Sequence, residues 1–324
     1  MQKRALPQTN LQVSVIGLGT DYFGTSVDRK QAVQIMDRYV ESGGNLIDTA
    51  EIYAAWFPGG EHQSEKVIGD WLRERGLRDS LILSTKGAHP KLESMDVPRM
   101  SQREIESDLD SSLRRLGVDC IDIYWVHRDA PAVPAEEIVL ALEALRKAGK
   151  IKHSGFSNWR LNRAEAARQA ALRLGIPGFI ASQNMWSLGQ VNLENADPTW
   201  AYIDTDFVHW HGQHGFGAFP YLTQANGYFR RLEQSSLDQV ATDARVRTLF
   251  DHPENRKRFQ RIQVLQKKTS FSVNQLVLGY LLNQPFPVFP LIGPKNITDL
   301  DDSLKSGDVS LSSEDVAFLE GVRS

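Results

Sequence analysis

The chain is organised around the segment Asn45-Leu46-Ile47-Asp48-Thr49-Ala50-Glu51-Ile52-Tyr53. Its apolar start, Leu46-Ile47, is typical of a short buried strand, and its polar end lies where such a strand meets solvent. Asp48 and Tyr53 then stand on the loop that leaves the strand. In a parallel α/β barrel this edge carries the active site, because the loops after the strands converge there.

Two later strand ends carry titratable residues at the equivalent place. The apolar run Leu81-Ile82-Leu83 leads to Lys86, and the run that begins at Ile121 leads to His127. Any one of these residues alone would fit a rim salt bridge or core packing equally well. Because successive strands deliver all of them to one edge, the pattern favours a catalytic site.

The rest of the chain alternates between strand-like and helical patterns, which indicates an α/β fold. Strands are predicted at 15–18, 46–47, 81–83, 121–126, 153–156, 179–182, 217–219 and 288–292, after a hairpin at 4–14. Helices are predicted at 29–42, 64–75, 101–116, 136–148, 161–174, 198–214, 256–268, 273–283, 298–305 and 313–322, whereas 221–252 is irregular. This order predicts a (β/α)8 TIM barrel with a short N-terminal hairpin and C-terminal helices, forming a single domain over residues 1–324.

A doubly wound sheet is the alternative that the alternation alone leaves open. Gly17-Leu18-Gly19 resembles the start of a dinucleotide fingerprint, but the next glycine is Gly24 and no helix opens behind the pair. The fingerprint needs both features, since its third glycine packs the helix and the helix N-terminus faces the pyrophosphate. The barrel is therefore preferred.

Composition excludes several classes of protein. Hydrophobic residues make up 41% and charged residues 24%, as in an ordinary globular protein with a sizeable core. A net charge of -3 provides no attraction to nucleic acid or to an anionic membrane. Met1 to Asn10 lacks the apolar segment of a secretory signal, so a cytoplasmic location is expected. Cys120 has no partner for an internal disulfide, and a small buried side chain is expected there.

At several motifs the chain resembles the aldo-keto reductase family of NADP(H)-dependent (β/α)8 barrels. Besides the segment around Asp48, the resemblance rests on Gly17-Leu18-Gly19-Thr20, Ser64-Glu65-Lys66-Val67-Ile68-Gly69, Ser84-Thr85-Lys86-Gly87, Ser112-Leu113-Arg114-Arg115-Leu116-Gly117-Val118-Asp119, Val126-His127-Arg128-Asp129, Gly149-Lys150-Ile151-Lys152 and Gly155-Phe156-Ser157-Asn158. The motifs occur in the family's order and cover nearly the whole chain. The resemblance implies an enzyme that interconverts carbonyl groups and alcohols with NADP(H).

The resemblance places the family's catalytic group on Asp48, Tyr53, Lys86 and His127. Hydride transfer to a carbonyl develops negative charge on oxygen, which needs positioned donors and then a proton. Tyr53 is the expected proton donor, and the charge of Lys86 is expected to lower the pKa of its phenol from ~10. Asp48 would hold Lys86, and His127 would donate a hydrogen bond to the substrate oxygen.

The resemblance also implies a cofactor site built from several strand ends and from the helix after the last strand. The expected residues are Gly19, Thr20, Asp48, Ser157, Asn158, Gln183, Phe219, Leu222, Gln224, Asn226, Gly293, Lys295, Asn296, Asp299, Asp302 and Ser303. Within this set, Ser157, Asn158 and Gln183 would bind the carboxamide of nicotinamide. Lys295 would meet the 2'-phosphate, and Asp302 the adenine.

The chain departs from the family pattern after the seventh strand, where Phe219-Pro220-Tyr221-Leu222 replaces the usual Tyr-Ser-Pro-Leu. Phe219 can still stack on nicotinamide, whereas Pro220 lacks the serine donor. Backbone groups of Leu222, Gln224 and Asn226 are candidates to hold the pyrophosphate instead. Asp299 and Asp302 would weaken the attraction of an extra phosphate to Lys295, so NADP(H) is the expected cofactor and NAD(H) remains possible.

The loops on the catalytic side combine aromatic and polar side chains. The candidate substrate residues are Tyr22, Trp56, Phe57, His89, Arg128 and Trp159. Such aromatics can simply cover the barrel mouth, but they also suit a polyhydroxylated substrate whose C–H faces stack while its hydroxyls need partners. The hypothesis is therefore a keto-sugar, an aldose or a similar small polar carbonyl compound, with no nucleic acid or membrane partner.

Two other interpretations remain open from the sequence. Some members of the resembling family act as cofactor-sensing auxiliary subunits, and the catalytic residues alone do not separate that role from an enzyme. The segment from His209 to His214 invites a metal site, but its spacing lacks the His-Glu-x-x-His pattern and no carboxylate follows at ligand spacing. No metal is expected, and these histidines are predicted to lie at the barrel face opposite the catalytic loops.

Overall fold

A sheet of parallel strands forms the centre of the computed structural model, which describes residues 1–234 and 244–322. Its strands are β3 (Gly17–Gly19), β4 (Leu46–Asp48), β5 (Ile82–Gly87), β6 (Ile121–Val126), β7 (Ile151–Phe156), β8 (Phe179–Ser182), β9 (Gly217–Ala218) and β10 (Leu291–Ile292). They are hydrogen-bonded in the order β10-β3-β4-β5-β6-β7-β8-β9. Sequential neighbours in a parallel sheet are the arrangement of a (β/α)8 barrel, as predicted.

Backbone contacts between β9 and the chain before β10 close the barrel. Ala218 forms a parallel bridge with Val288, and the Leu291 amide donates to the Pro220 carbonyl at 3.0 Å. The predicted strand 288–292 is shorter in the structure, where only Leu291–Ile292 is a strand. Pro287 and Pro290 explain the interruption, because proline cannot donate to a strand ladder.

The predicted hairpin is present as β1 (Lys3–Ala5) and β2 (Gln12–Ser14), an antiparallel pair. Its residues Leu6 and Val13 are fully buried in the cluster that fills the barrel interior, together with Leu46 and Trp125. The hairpin therefore covers the end of the barrel where the strands begin. This leaves the opposite end, where the strands finish, open for a site.

Helices surround the barrel. They span Arg29–Glu41, Gln63–Arg75, Gln102–Leu116, Ala135–Lys147, Leu161–Leu174, Thr205–His214, Tyr228–Gln234, Ala244–Phe250, Pro253–Thr269, Val273–Leu282, Ile297–Leu304 and Ser313–Glu320, with short 3-10 turns at Arg78–Ser80, Leu193–Asn195, Ala225–Gly227 and Lys305–Asp308. The helix Gln102–Leu116 begins with a capping box in which the Ser101 hydroxyl and the Glu104 carboxylate each satisfy a backbone amide. In the described ranges, none of these helices has the length and apolar character that a membrane crossing requires.

The predicted helix over 198–214 and the predicted irregular segment over 221–252 also differ from the structure. The helix expected over 198–214 begins only at Thr205, because Asp204 caps it by accepting a hydrogen bond from the Phe207 amide. The segment expected to be irregular over 221–252 contains the short helices Tyr228–Gln234 and Ala244–Phe250. Residues 235–243, which lie between them, fall outside the described residues.

Glycine is required at the first barrel strand by close packing. A Cβ atom on Gly17 would lie 2.6 Å from the Leu291 and Leu46 side chains, which come from the strands on either side. A larger residue would require both leucine side chains to shift within the packed barrel interior. Gly17 therefore allows close packing inside the barrel, and it has no need of a role in a dinucleotide fingerprint.

Candidate active site

A buried charge pair forms the floor of the site. Asp48 ends β4 and Lys86 lies near the end of β5, and both side chains are 1% exposed. The Lys86 Nζ atom lies 2.5 Å from Asp48 Oδ2 and donates to the Thr49 carbonyl at 2.8 Å. Asp48 Oδ1 accepts from Ser84 at 2.6 Å and from Gln183 at 3.0 Å. The carboxylate thus has a partner on each oxygen, as a buried charge requires.

Tyr53 completes this group. The loop after β4 turns back through a hydrogen bond from the Tyr53 amide to the Ala50 carbonyl, which brings the phenol over Lys86. The Lys86 Nζ atom lies 2.8 Å from the Tyr53 hydroxyl and 4.3 Å from the ring centroid. The expected contact between lysine and phenol is therefore present in the structure. Tyr53 also lines the central cavity, so its hydroxyl is not sealed away from a substrate.

The pKa of Tyr53 is shifted in the opposite direction to the one predicted. Burial of the phenol, followed by the nearby carboxylates of Asp48 and Asp21, raises the pKa of Tyr53 well above its usual value. The charge of Lys86 does not reverse this, because Asp48 already balances it at 2.5 Å. Tyr53 is thus held protonated at neutral pH, which is the form that a proton donor needs.

His127 follows β6 and faces the same group. Its backbone amide donates to the Gly87 carbonyl at 2.9 Å, and its ring lies 6.0 Å from that of Tyr53 and 4.8 Å from that of His89. Burial and the positive neighbours hold the pKa of His127 well below its usual value, so the imidazole is neutral. A neutral imidazole can donate one hydrogen bond without adding a charge to the site.

A cavity of about 650 Å³ opens above these residues at the carboxyl ends of the strands. Many of the residues expected to bind a cofactor line it: Gly19, Thr20, Asp48, Ser157, Asn158, Gln183, Leu222, Gln224, Asn226, Gly293, Lys295, Asp299 and Ser303. The candidate substrate residues Tyr22, Trp56, His89 and Arg128 line it as well. A volume of this size is within the range of small-molecule and cofactor sites.

Gln183 carries a buried polar atom at the end of the cavity where the resemblance implies nicotinamide. The Gln183 amide nitrogen donates to Asp48, whereas its Oε1 atom is buried with no hydrogen-bond partner among the described residues. A buried acceptor of this kind suits a ligand donor such as a carboxamide NH2 group. Ser157 donates to the Gln183 carbonyl at 2.7 Å, and Asn158 donates to the His127 carbonyl at 3.1 Å. These two side chains hold neighbouring loops together at the cavity wall.

The end of the cavity where the resemblance implies the phosphates of the cofactor is lined by basic side chains. Lys295 is exposed and its Nζ atom lies 4.8 Å from the ring centroid of Tyr22. Arg230, which the sequence did not suggest, pairs with Asp299 at 2.5 Å. This pair offsets the acidic charge that was expected to oppose an extra phosphate. The cavity residues therefore suit a nicotinamide cofactor at one end and its phosphate groups at the other.

Three of the expected cofactor residues lie outside the cavity lining. Phe219 was expected to stack on nicotinamide, but it is 1% exposed and stacks on Phe289 inside the barrel, with ring centroids 4.8 Å apart. Asp302 was expected to contact adenine, but it accepts hydrogen bonds from Ser272, Asn274 and Gln275. Asn296 caps its own helix. Strand direction explains Phe219, because alternate residues of a strand point to opposite sides.

Two of the candidate substrate residues are also placed elsewhere. Trp159 is fully buried, and its indole nitrogen donates to the Arg128 carbonyl at 3.2 Å. Phe57 packs beside Tyr22 and Trp56, outside the cavity lining. These two aromatic side chains pack within the loops at the barrel mouth. This is the first of the two roles considered above, covering the barrel mouth, and not direct contact with a substrate.

The cavity also contains residues that sequence patterns did not single out. These are Asp21, Leu92, Met95, Asp197, Trp200, Tyr221, Thr223, Arg230, Arg231, Arg245 and Asn274, among others. Asp21 directly follows the Gly17–Thr20 motif, so its place in the sequence could have predicted that it lines the cavity. Burial raises the pKa of Asp21 to about 6 despite the opposing effect of Lys86. The others come from loops and helices whose paths the strand pattern does not predict.

The histidines near the end of the helix Thr205–His214 point in different directions. His211 is buried between Ser182 and the Phe216 carbonyl, at 3.0 and 3.2 Å, whereas His209 is exposed. Within the described parts of the chain, no three His, Cys, Asp or Glu side chains are grouped as a metal site would need.

Cys120, which was expected to be buried, is partly exposed in the structure. The part of the side chain that is buried still raises the pKa of its thiol.

Comparison with known proteins identifies relatives along the whole length. The sequence model of the aldo/keto reductase family matches residues 15–324. The uncharacterized oxidoreductase YrpG of Bacillus subtilis is 28% identical, over 99% of this chain and 96% of the relative. Protein tas of Escherichia coli is 28% identical, over 99% of this chain and 97% of the relative. The aryl-alcohol dehydrogenase (NADP(+)) of Phanerodontia chrysosporium is 25% identical, over 98% of this chain and 84% of the relative.

Proposed function

Since this chain belongs to the aldo/keto reductase family of oxidoreductases, we propose that it reduces an aldehyde or ketone group with NADPH. The substrate is a small polar or sugar-like compound, and the reaction runs reversibly toward alcohol oxidation. The observation that carries the proposal is the contact of Lys86 with both Asp48 and Tyr53 at the floor of an open cavity. The alternative, a cofactor-binding auxiliary subunit, would share the same four residues, and multiple turnovers are what distinguish an enzyme from it.

The chemistry of the chain's own residues follows from this arrangement. A bound nicotinamide cofactor supplies the hydride to the carbonyl carbon. Tyr53 holds the proton that the developing alkoxide takes up, and Lys86 orients the phenol through its 2.8 Å hydrogen bond. Asp48 keeps Lys86 charged within the buried site. Neutral His127 orients the carbonyl oxygen and contributes a donor where negative charge develops.

The raised pKa of Tyr53 bears on the direction of the reaction. An alkoxide is far more basic than a phenolate, so a phenol with a raised pKa still transfers its proton to the reduced product. The reverse reaction needs the phenolate as a base, and this form is scarce at neutral pH when the pKa is raised. Near neutrality most of the enzyme is therefore in the protonated form that reduction uses.

Two observations support NADPH over NADH. Lys295 and Arg230 both line the cavity, and Arg230 neutralises Asp299. A relative that is 25% identical is named for its use of NADP(+). Leu222, Gln224 and Asn226 follow β9 in the cavity wall, where their backbone groups would hold the pyrophosphate in place of the side chain that Pro220 lacks.

The experiment that tests the proposal is NADPH oxidation by the full chain against sugars, keto-sugars and simple aldehydes. Turnover that depends on the Tyr53 hydroxyl is expected, with Tyr53→Phe as the matched control. Cofactor preference is measured in the same assay from kcat/KM for NADPH and NADH. Equal or better values with NADH would overturn the NADP assignment, and the absence of turnover with every carbonyl compound would overturn the enzyme assignment.

A further inference from the structure

Arg128 lines the cavity, and none of the carboxylates that the structure describes pairs with its guanidinium. We propose that it binds a carboxylate of the substrate, so that the enzyme acts on carbonyl compounds that carry an acid group. This inference deepens the proposed reductase function and rests on it. It adds a substrate class and a specificity-determining residue to the same site.

The hydrogen bonds of Arg128 leave most of its donors free. A guanidinium has five N–H donors. Here Nη1 donates to the His127 carbonyl at 3.2 Å, and Nε is buried with no acceptor among the described residues. No carboxylate in the described parts of the chain lies within 4.0 Å of this side chain. The side chain nevertheless lines the cavity beside His127, where a substrate carbonyl is expected.

The other charged residues nearby have partners. Asp129, the next residue, pairs with Arg163 at 3.0 Å. Lys86 pairs with Asp48 on the cavity floor, and Arg230 pairs with Asp299 at the far end. A charge removed from water is costly unless it is paired, so an unpaired guanidinium at the substrate end is the exception that needs a reason. A ligand anion supplies that reason.

Among the carboxylates of the cavity, Asp197 is the best candidate for an ion pair with Arg128 in place of a ligand anion. Its Oδ1 atom accepts from the Thr199 amide at 2.8 Å and from the Thr199 hydroxyl at 2.6 Å, which holds it in its own turn. It lies beyond the 4.0 Å of an ion pair with Arg128. The guanidinium fork is therefore available for two parallel hydrogen bonds to a planar carboxylate.

The surroundings describe the rest of such a substrate. Trp56, Trp200 and Tyr221 line the same cavity, and they suit a flat or ring-shaped body. The Nδ1 atom of His89 lies 2.6 Å from the Pro90 carbonyl, and burial lowers the pKa of His89 to about 4. The neutral ring must carry its proton on Nδ1, which leaves Nε2 as an acceptor for a substrate hydroxyl.

The test uses matched pairs that differ only in charge. The first pair is 4-carboxybenzaldehyde and its methyl ester, and the second is D-glucuronate and D-glucose. The full chain with NADPH is expected to show kcat/KM values about 10- to 100-fold higher for the acid of the pair it accepts, since hydrogen bonds to charged groups contribute that much. Equal values, or a preference for the neutral compound, would overturn the proposal.

Two variants assign the preference to Arg128. Arg128→Met is expected to remove the acid preference, because kcat/KM for the acid should fall about 10- to 100-fold further than kcat/KM for the neutral compound. Arg128→Lys keeps the charge but not the fork and should retain part of the preference. An equal loss on the acid and the neutral compound would instead show that Arg128 acts through His127 or Tyr53, and would contradict the proposal.

A binding measurement separates this inference from the proposed function. Calorimetric titration with benzoate and with benzamide, in the presence of NADP+, requires no turnover. Tighter binding of benzoate that is lost in Arg128→Met supports the carboxylate site even if every carbonyl compound fails as a substrate. Equal affinity for benzoate and benzamide would refute the site, while turnover of neutral carbonyl compounds would leave the reductase assignment intact.

Discussion

The two halves of the barrel build the site in different ways. In the half formed by β4 to β6, the strand ends deliver Asp48 and Lys86 as a buried pair with Tyr53 directly above it. In the half formed by β9 and β10, each strand has two residues, and the cavity is lined from helices and loops. The proposed chemistry would therefore use residues at the ends of rigid strands, whereas the proposed ligand recognition would use segments that can vary without disturbing the barrel.

The largest expected effect comes from removing the phenol of the rigid half. Tyr53→Phe keeps the ring packing against Trp56 and His127 but removes the proton donor. We expect kcat for carbonyl reduction to fall by about 10²- to 10⁴-fold, with the KM for NADPH changed little. Steady-state kinetics measure both. An active Tyr53→Phe variant would mean that another group supplies the proton.

Breaking the charge pair should cost both activity and stability. Lys86→Met leaves the Asp48 carboxylate buried, with Ser84 and Gln183 as its remaining partners among the residues that the structure describes. We expect a loss of about 3 kcal/mol in the free energy of unfolding, since an unpaired buried charge remains. Denaturant unfolding measures it. The double variant Asp48→Asn with Lys86→Met is the control, and it should recover part of the loss. A single variant as stable as the parent chain would contradict this account.

The pH dependence distinguishes the two reaction directions. Because the pKa of Tyr53 is raised, the phenol stays protonated through neutral and mildly alkaline pH. The rate of alcohol oxidation should rise with pH, up to about tenfold per unit, and continue to rise past pH ~10, whereas the rate of reduction stays flat from pH ~6 to ~9. Initial rates in both directions measure this. A plateau of the oxidation rate near neutral pH would show a lowered phenol pKa instead.

The adaptable half can be tested through cofactor choice. Lys295→Met should raise the KM for NADPH by about tenfold and leave the KM for NADH nearly unchanged, because only the former has the extra phosphate. Lys305→Met is the matched control, since Lys305 is an exposed lysine outside the cavity lining. If both variants behaved alike, the interaction of Lys295 with the 2'-phosphate would be ruled out.

The smallest expected effect concerns a helix cap in the rigid half. Ser101→Ala removes the capping box of the helix Gln102–Leu116 and should lower the free energy of unfolding by about 1 kcal/mol. Because Ser101 is exposed and lies outside the cavity lining, kcat/KM should not change. Thermal unfolding and kinetics on the same sample test both statements. Thr199→Ala is the contrasting variant, because it removes the hydroxyl that donates to Asp197 in a loop at the cavity. For this variant kcat/KM should change, whereas the free energy of unfolding should stay nearly the same.

The regular half was predictable because its signals are local. Apolar runs ending in polar residues mark β4 to β6, and the four expected catalytic residues lie where those runs end. The irregular half was harder. The helix Thr205–His214 is shorter than predicted, and Phe219 lies inside the barrel because the side on which a residue of a two-residue strand points depends on its register. Arg230 and Asn274 reach the cavity from helices whose packing no local pattern reports.

The order of the barrel strands, the residues of the predicted catalytic group and the family membership all follow from the sequence, since periodicity and motif spacing are properties of the chain itself. The tertiary structure decided the electrostatics. The pKa of Tyr53 is raised rather than lowered, and Arg128 stands without a carboxylate partner among the described residues. The pKa of Tyr53 and the pairing of Arg128 both depend on the distances between charged groups and on how far each group is removed from water. Those distances arise only when the barrel closes.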